Sequence, residues 1–323
     1  MYPWERVNPK QDSTLRVIHE AVKRNHEVWI TSATNLTIRE SVTLSNCRRI
    51  VRADKHPTSM VSFYQKVQFE TEMKPLADFD LIFMRENPPL DPLVLNFLDS
   101  IKDQVIMINN INGLREANNK IYTAAYSDPE KKIIPDTYVS KNIDYLIRII
   151  EESPKEKMIL KPLDGFGGNG VIVIEKRAMH NIKSLLDFYI NGNRGKSNYV
   201  ILQEYVEGAE NGDVRVLMLN GKPIGSLRRR PLKGDVRSNI SVGGTVEKHK
   251  LTKAEKDLCA IIGEKLVADG ILYAGLDLIG GKLIEINVLS PGTIKDINLL
   301  NKVRLQEKIL DFFEEKVKEK YQS

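Results

Sequence analysis

Residues 271–288 read ILYAGLDLIGGKLIEINV, and this stretch decides the fold. Apolar residues fill both halves of the stretch and a glycine pair separates them, which predicts two strands joined as a β-hairpin. Among the apolar residues the two halves also carry two acids and one amide, at Asp277, Glu285 and Asn287.

The register of this hairpin determines whether the polar side chains meet. A two-residue turn at the glycine pair would place Asp277 opposite Ile284, so that Asp277 and Glu285 would point to opposite faces of the sheet. A three-residue connection, 280–282 with a glycine bulge, instead places Asp277 opposite Glu285, and Asn287 follows on the same face. We expect the second register, because it brings all three side chains together.

Two carboxylates and an amide oxygen on one face suit a magnesium ion, which takes one or two protein carboxylates together with phosphate oxygens and water. Two like charges this close also require a cation. The alternative is a surface strand pair with scattered acids, which the apolar residues between them disfavour. The five histidines show no paired spacing of the kind that zinc sites use. We therefore expect Asp277, Glu285 and Asn287 to bind Mg²⁺.

A glycine-rich segment, DGFGGNG at 164–170, lies between the predicted strands 158–163 and 171–174. A loop between two strands is neither the dinucleotide-binding fingerprint nor the Walker loop, because both place their glycines before a helix. Its backbone N–H groups can instead contact phosphate oxygens, and the loop can close as a lid. A flexible hairpin without a ligand explains the pattern equally well. The candidate phosphate-binding residues are Gly165, Gly167 and Gly168.

Three basic side chains are candidate phosphate ligands. Lys161 follows the apolar run 158–160, where a lysine would be an unpaired buried cation unless an anion meets it. Lys120 is a second candidate, with an exposed helical lysine as its alternative. Arg215 interrupts another apolar strand and offers a rigid fork for phosphate, or else forms a structural ion pair with Asp213.

Composition excludes several classes of protein. The 323 residues contain no run of about 18 uncharged apolar residues, so a membrane-spanning helix is not expected. The first ten residues also lack the apolar run of a signal peptide. Cys47 and Cys259 belong to no metal or disulfide pattern, which favours the cytoplasm. The net charge of +5 suits an anionic small molecule, and we expect neither a nucleic-acid nor a membrane partner.

Helical and strand patterns predict an α/β fold in three parts. Helices alternate with apolar strands over 1–117, which implies a mostly parallel sheet in an N-terminal substrate domain. Residues 118–199 form a central unit with the glycine hairpin, and 200–323 form a C-terminal unit that contains the hairpin of 271–288. We also expect the protein to form a homo-oligomer.

These motifs resemble a known family. In order along the chain, Lys120, Lys161 with its glycine loop, the Asp213-Val-Arg215 strand and the closing hairpin are similar to the ATP-grasp pattern. Further segments look like the bacterial glutathione synthetases in particular, namely KQDST at 10–14, FMRENPP at 83–89, NKIY at 119–122 and the loop 229–244. The resemblance covers nearly the whole chain and implies an ATP-grasp fold preceded by an N-terminal α/β domain.

The resemblance also implies roles for individual residues. ATP phosphates would contact Lys120, Lys161 and Arg215, the ribose would lie near Asp213, and the adenine would border Gln203, Glu204, Tyr205 and Val206. A γ-glutamylcysteine-like donor would meet Ser13 and Arg85, under a second lid with Arg229, Arg237 and Asn239. The glycine-like acceptor would lie near Ser290 and Pro291. The catalytic residues would be Lys161, Arg215 and Arg229.

The resemblance predicts an ATP- and Mg²⁺-dependent ligase that makes glutathione from γ-glutamylcysteine and glycine through an acyl phosphate. Two departures leave alternatives open. The run 288–293, VLSPGT, differs from the family pattern at the acceptor site, so another acid or amine remains possible. Family members have a strand before the segment corresponding to 1–3, so either the start differs or the first sheet lacks a strand. A non-catalytic nucleotide- or RNA-binding protein is the third alternative.

Overall fold

A computed structural model of the chain describes residues 1, 3–51, 57–130, 132–163, 165, 167–192, 197–232 and 243–322. It has the mixed α/β architecture that the sequence predicts. The N-terminal elements are α1 (Ser13–Lys23), β1 (Trp29–Ile30), β2 (Leu36–Arg39), β3 (Val42–Ile50), α2 (Met60–Lys66), β4 (Phe69–Pro75), β5 (Leu81–Phe83), α3 (Pro92–Asp99), β6 (Ile106–Ile108) and α4 (Ile111–Ala117).

The expectation of a mostly parallel N-terminal sheet holds for only one pair of strands. β5 and β6 are parallel, with Leu81 opposite Ile106. The other four strands form an antiparallel sheet, in which β3 pairs with β4 along one edge and with β1 and β2 along the other. The β2–β3 hairpin gave no turn signal, because Glu40 and Ser41 occupy its left-handed positions, at φ 50° and 64°, where glycine or asparagine is usual.

The central elements are α5 (Ile121–Ala124), β7 (Thr137–Ser140), α6 (Ile143–Glu152), β8 (Lys157–Pro162), β9 (Ile172–Glu175), α7 (Met179–Asn191) and β10 (Val200–Glu204). The strands form an antiparallel sheet in the order β7-β10-β8-β9. Buried residues of α6 and α7, including Leu146 and Leu186, pack against it. The glycine loop connects β8 to β9 as the predicted hairpin, because Leu160 pairs with Ile172.

The C-terminal elements are β11 (Asp213–Leu219), β12 (Lys222–Arg230), β13 (Thr245–Lys248), α8 (Lys253–Ala268), β14 (Tyr273–Ile279), β15 (Lys282–Asn287), α9 (Ile294–Asn301) and α10 (Leu305–Gln322). The strands form an antiparallel sheet in the order β13-β12-β11-β14-β15. One face shares a core with residues of α8, such as Ile262. The other face shares a core with α9 and α10 through Ile297 and Phe313.

The predicted pairing of Asp277 with Glu285 in the β14–β15 hairpin is confirmed, but the expected three-residue connection, 280–282, is wrong. Asp277 lies opposite Glu285, and Asn287 pairs with Gly275 two residues along. The turn has only two residues, because Ile279 pairs with Lys282. The extra residue is Ile284, which bulges from β15 next to the Asp277–Glu285 pair. Gly280 and Gly281 adopt φ of 54° and 76°, so the glycine pair forms the tight turn and the strand supplies the bulge.

None of the helices in the described part of the chain combines the length and the apolar character needed to cross a bilayer.

Asn109, at the end of β6, attaches the N-terminal part of the chain to this hairpin. Its Oδ1 accepts from the backbone N–H of Tyr273 at 2.6 Å. Its Nδ2 donates to the carbonyl oxygens of Tyr273 at 2.8 Å and Val288 at 3.0 Å. The side chain is 2% exposed, so all three hydrogen bonds lie away from water. They fix the two ends of the hairpin where β14 begins and β15 has just ended.

We predict that Asn109→Ala lowers the free energy of unfolding by about 2–4 kcal/mol, because it leaves three buried backbone groups without partners. Chemical denaturation of the two proteins measures the difference. Asn112→Ala is the control, since Asn112 is exposed on α4. Equal stability of the Asn109 and Asn112 variants would contradict this role.

Candidate functional site

A row of charged side chains crosses three strands of the C-terminal sheet. Arg215 on β11 lies opposite Asp277 on β14, which lies opposite Glu285 on β15. The guanidinium of Arg215 donates to both oxygens of Asp277, from Nε at 2.5 Å and from Nη2 at 2.9 Å. Arg215 is thus bound to Asp277, whereas Asp213, the partner considered from the sequence, is bound by Arg229.

Arg229 on β12 completes a buried network of two arginines and two aspartates. It donates to both oxygens of Asp213, with Nε at 2.8 Å, and its Nη2 lies 2.9 Å from an oxygen of Asp277. All four side chains are buried. Burial alone would raise the pKa of Asp277, but Arg215 and Arg229 lower it to about 2. Burial opposes the charge of Arg229 as well, yet Asp277 and Asp213 raise its pKa, so the network stays ionised.

Glu285 and Asn287 lie next to this network and have side-chain oxygens that its arginines do not bind. Burial and the neighbouring Asp277 raise the pKa of Glu285, and Lys120, Lys161 and Arg215 oppose the rise. Within the described part of the chain, Glu285 forms no salt bridge. Asn287 donates from Nδ2 to Asp277 at 3.3 Å, which leaves its Oδ1 to accept.

This donor set fits a magnesium ion. A carboxylate whose charge is unbalanced and an amide oxygen are hard ligands, and Mg²⁺ completes its shell with phosphate oxygens and water. Both oxygens of Asp277 are already held by guanidinium groups, so Asp277 would have to release one contact to join as a third ligand. Glu285 and Asn287 are thus the better placed of the three predicted ligands.

Two lysines face this row from the central part of the chain. Lys161, on β8, is 8% exposed, and burial together with Lys120 lowers its pKa to about 8, against the opposing effect of Glu285 and Asp277. Lys120, just before α5, donates from Nζ to the carbonyl oxygens of Pro162, at 3.3 Å, and Gly165. The lysine ammonium groups and the acidic row therefore share one cleft.

The glycine loop forms the wall next to these lysines. Gly167 and Gly168 adopt left-handed φ of 66° and 80°, which a residue with a side chain adopts only with strain. A Cβ at Gly165 would come within 2.6 Å of Pro162 Cγ. The loop therefore needs its glycines to bring backbone close to the lysines, while residues 164 and 166 lie outside the described part.

The cleft, about 870 Å³ with its open mouth, unites most of the residues predicted to bind nucleotide. Five apolar residues that were not predicted from the sequence complete its walls, namely Ile159, Val171, Ala209, Ile279 and Ile284. The strand period could have found two of them, because Ile159 shares a face with Lys161 and Ile279 shares one with Asp277. The predicted residues that line the cleft are Lys120, Lys161, Gly165, Gly167, Gly168, Gln203, Glu204, Tyr205, Val206, Asp213, Asp277 and Glu285.

The predicted substrate residues form a second group beside the cleft. Arg85 is 3% exposed and donates from Nε to Thr14 Oγ1 at 2.9 Å and from Nη2 to Pro291 O at 3.0 Å. Ser13 Oγ accepts from the backbone N–H of Ile294 at 3.2 Å. Thr14 was not predicted from the sequence, although its position next to Ser13 could have indicated it.

Gly275 joins the two groups of residues. A Cβ at Gly275 would lie 2.9 Å from Pro291 and 3.2 Å from Arg215 Nη1, so only glycine lets the segment after β15 reach the charged row. Ser290 is half-buried in that segment. The predicted residues Arg237 and Asn239 lie outside the described part of the chain.

We predict that Lys161→Met stabilises the unliganded protein by about 1–3 kcal/mol at pH 7, because a buried ammonium is replaced by an apolar side chain of similar length. The folded pKa of about 8 lies below the ordinary 10.5, so the unfolded chain binds this proton more tightly. The penalty is complete below pH 8 and vanishes as the pH rises to 10.5. Urea denaturation at pH 7 and pH 10 measures the change.

Lys157→Met is the matched control, because Lys157 is exposed on the same strand. A loss of stability in the Lys161 variant, or a gain that is the same at both pH values, would show that the lysine does not pay this burial cost.

Comparison with known proteins gives concordant similarities over nearly the whole chain. Residues 1–115 match the prokaryotic glutathione synthetase N-terminal domain, and residues 119–302 match the prokaryotic glutathione synthetase ATP-grasp domain. The glutathione synthetase of Synechocystis is 32% identical, and the alignment covers 97% of each chain. That of Vibrio cholerae is 31% identical, over 98% of this chain and 96% of the relative.

Solved structures show the same fold at lower sequence identity. The ATP-grasp ligase PsnB, in complex with Mg, ADP and a variant of its minimal precursor, aligns with a TM-score of 0.62 at 16% identity, over 95% of this chain and 96% of its own. D-alanine–D-alanine ligase from Bacillus anthracis aligns with a TM-score of 0.52 at 16% identity, over 74% of this chain and 80% of its own.

Proposed function

Because this chain belongs to the prokaryotic glutathione synthetase family, we propose that it joins γ-glutamylcysteine to glycine and consumes ATP. It is an ATP-dependent carboxylate–amine ligase that acts on small molecules. The observation that carries the choice of reaction site is the cleft itself, where Lys120 and Lys161 face Asp277 and Glu285 and where Asp277 is bound by Arg215.

The arrangement of the cleft supports separate binding roles for its residues toward the phosphates, the adenine, the ribose and the metal ion. Lys120, Lys161 and Arg215 hold the phosphates, with backbone N–H groups around Gly165, Gly167 and Gly168. The end of β10, Gln203 to Val206, borders the adenine between the apolar walls, and Asp213 lies near the ribose. Glu285 and Asn287, with Asp277, hold Mg²⁺, which when bound would neutralise phosphate charge.

The reaction needs positioning more than covalent help from the protein. The donor carboxylate attacks the γ-phosphorus of ATP to give an acyl phosphate and ADP, and the amine then displaces phosphate to form the amide. Lys161 and Arg215 offset the charge that develops during phosphoryl transfer, and Arg229 fixes Asp213 and Asp277 and so keeps Arg215 in place. Closure of the glycine loop around Gly167 and Gly168 excludes the water that would hydrolyse the acyl phosphate. Arg229, which the resemblance places in a second lid, lies instead within β12 and is bound to Asp213.

The second group of residues supports the binding of the two substrates. Ser13 and Arg85, with Arg237 and Asn239, receive the γ-glutamylcysteine donor. Ser290 and Pro291 border glycine, because Pro291 approaches Arg215 across Gly275, next to where the acyl group forms.

We also propose the wider setting of the enzyme. Free, buried Cys47 and Cys259 support a cytoplasmic location. A homo-oligomer is supported by Val42 and Met73, which are exposed on one face of the antiparallel N-terminal sheet. The boundary between 117 and 118 is supported by the separate sheets on its two sides. The predicted boundary between 199 and 200 is wrong, because β10 (Val200–Glu204) pairs with β7 and β8, so the central unit extends to at least 204.

The three consecutive arginines of β12, residues 228–230, argue against a nucleic-acid partner, because each is paired with a carboxylate of the protein. Arg229 is held by two aspartates, and Glu247 pairs with both Arg228, at 3.6 Å, and Arg230, at 2.8 Å. These three guanidinium groups are therefore neutralised within the protein instead of forming an open basic patch.

We predict that γ-glutamylcysteine and glycine together drive the release of ADP and the formation of one glutathione per ATP. Lys161→Met lowers kcat/KM about 10²–10³-fold, because a charged contact to the phosphates is lost. A coupled assay for ADP with mass analysis of the product measures both quantities, and Lys157→Met retains activity.

Normal turnover by the Lys161 variant would refute the assignment of the phosphate site. ADP release that requires a different acid or amine, found in a substrate panel, would keep the ligase but replace its substrates.

A further inference from the structure

Arg85 and Tyr273 each bury a hydrogen-bond donor that meets no acceptor. Within the described part of the chain, Nη1 of Arg85 and the hydroxyl of Tyr273 have no hydrogen-bond partner and almost no contact with solvent. The two side chains are 3% and 1% exposed. Buried polar groups in folded proteins are nearly always paired, so two such donors next to each other require an explanation.

The two groups are neighbours, and their orientations are fixed. The guanidinium carbon of Arg85 lies 5.6 Å from the centre of the Tyr273 ring. Thr14 and Pro291 hold the other two nitrogens of Arg85, which determines the direction of Nη1. The Tyr273 ring packs edge-on against Phe83, at 5.6 Å between ring centres. Neither side chain can turn to another partner without losing these contacts.

The charge of Arg85 also lacks a partner. Arg85 forms no salt bridge within the described part of the chain, and among the carboxylates Asp12 exerts the leading attraction on it from beyond contact distance. A buried guanidinium without a carboxylate is costly in a folded protein unless a ligand supplies the anion. Burial raises the pKa of Tyr273, against the effect of Arg85 and Arg215, so its hydroxyl keeps its proton and can donate.

Tyr273 lies on the same strand and the same face of the sheet as Asp277 of the charged row. Tyr273, Gly275 and Asp277 share one face of β14, and the distance from Tyr273 Cα to Asp277 Cα is about 13 Å at the usual strand rise. Gly275 adds no side chain between them and lies against Pro291 and Arg215. A ligand that reacts beside Arg215 could therefore carry a second polar group toward Tyr273.

We propose that Arg85 Nη1 and the Tyr273 hydroxyl together bind the carboxylate of the acid substrate that does not react, the α-carboxylate of its γ-glutamyl end. This inference rests on the proposed function and adds Tyr273 as a specificity residue for the donor. The acceptor does not fit, because the carboxylate of glycine is two bonds from the nitrogen that must reach the acyl carbon.

The first test is Tyr273→Phe, which removes one oxygen. We expect the KM for γ-glutamylcysteine to rise about 10- to 100-fold, the usual effect of losing a hydrogen bond to a charged group. The KM values for ATP and glycine and the value of kcat stay within about twofold. The melting temperature does not fall, because the lost hydroxyl had no partner in the free protein. Tyr64→Phe is the matched control, since its hydroxyl bonds to Trp4 far from the cleft.

The second test removes the carboxylate from the substrate, with 4-aminobutyrylcysteine as donor. The kcat/KM of the wild-type protein should be lower with this donor than with γ-glutamylcysteine. With this donor Tyr273→Phe should lower kcat/KM little further, because the carboxylate that the hydroxyl would bind is absent. The inference is wrong if Tyr273→Phe lowers kcat/KM equally on the two donors, if it leaves the KM for γ-glutamylcysteine unchanged, or if it raises only the KM for glycine. These outcomes leave the proposed function standing, whereas wild-type protein that releases no ADP with γ-glutamylcysteine and glycine overturns both.

Discussion

The register of β14 against β15 is the constraint on which the site depends. The bulge at Ile284 adds one residue to β15, and without it Asp277 and Glu285 would point to opposite faces. With the bulge, Arg215, Asp277 and Glu285 form one row across three strands. Asn109 fixes the ends of the same hairpin from the N-terminal part of the chain, so the row is held in place before any ligand binds.

The charges of the buried arginine–aspartate network balance each other, whereas the charges of Lys161 and Glu285 in the cleft do not. Two arginines and two aspartates neutralise each other in the buried network of β11, β12 and β14. Across the cleft, burial lowers the pKa of Lys161 and raises that of Glu285, which means that both groups lack the counter-charges they need. A magnesium–triphosphate complex carries both signs of charge and would satisfy the two sides at once, and this is how the fold prepares a site for phosphoryl transfer.

The sequence was informative where chemistry and local pattern coincide. The glycine loop with Lys161 and the pairing of Asp277 with Glu285 could be predicted, because buried charges and strand period leave few arrangements. The antiparallel N-terminal sheet could not, since its turn at Glu40 and Ser41 lacks the usual residues. The partners of Arg215 and the orphaned hydroxyl of Tyr273 depend on contacts between distant strands, which no local pattern encodes.

A crystal structure with Mg²⁺ and a non-hydrolysable ATP analogue would show directly whether metal and nucleotide bind in this cleft. We expect a metal ion about 2.1 Å from oxygens of Glu285 and Asn287, with phosphate oxygens within hydrogen-bond distance of Lys120 and Lys161. A triphosphate bound outside this cleft, or a metal ion with no ligand from β15, would contradict this expectation.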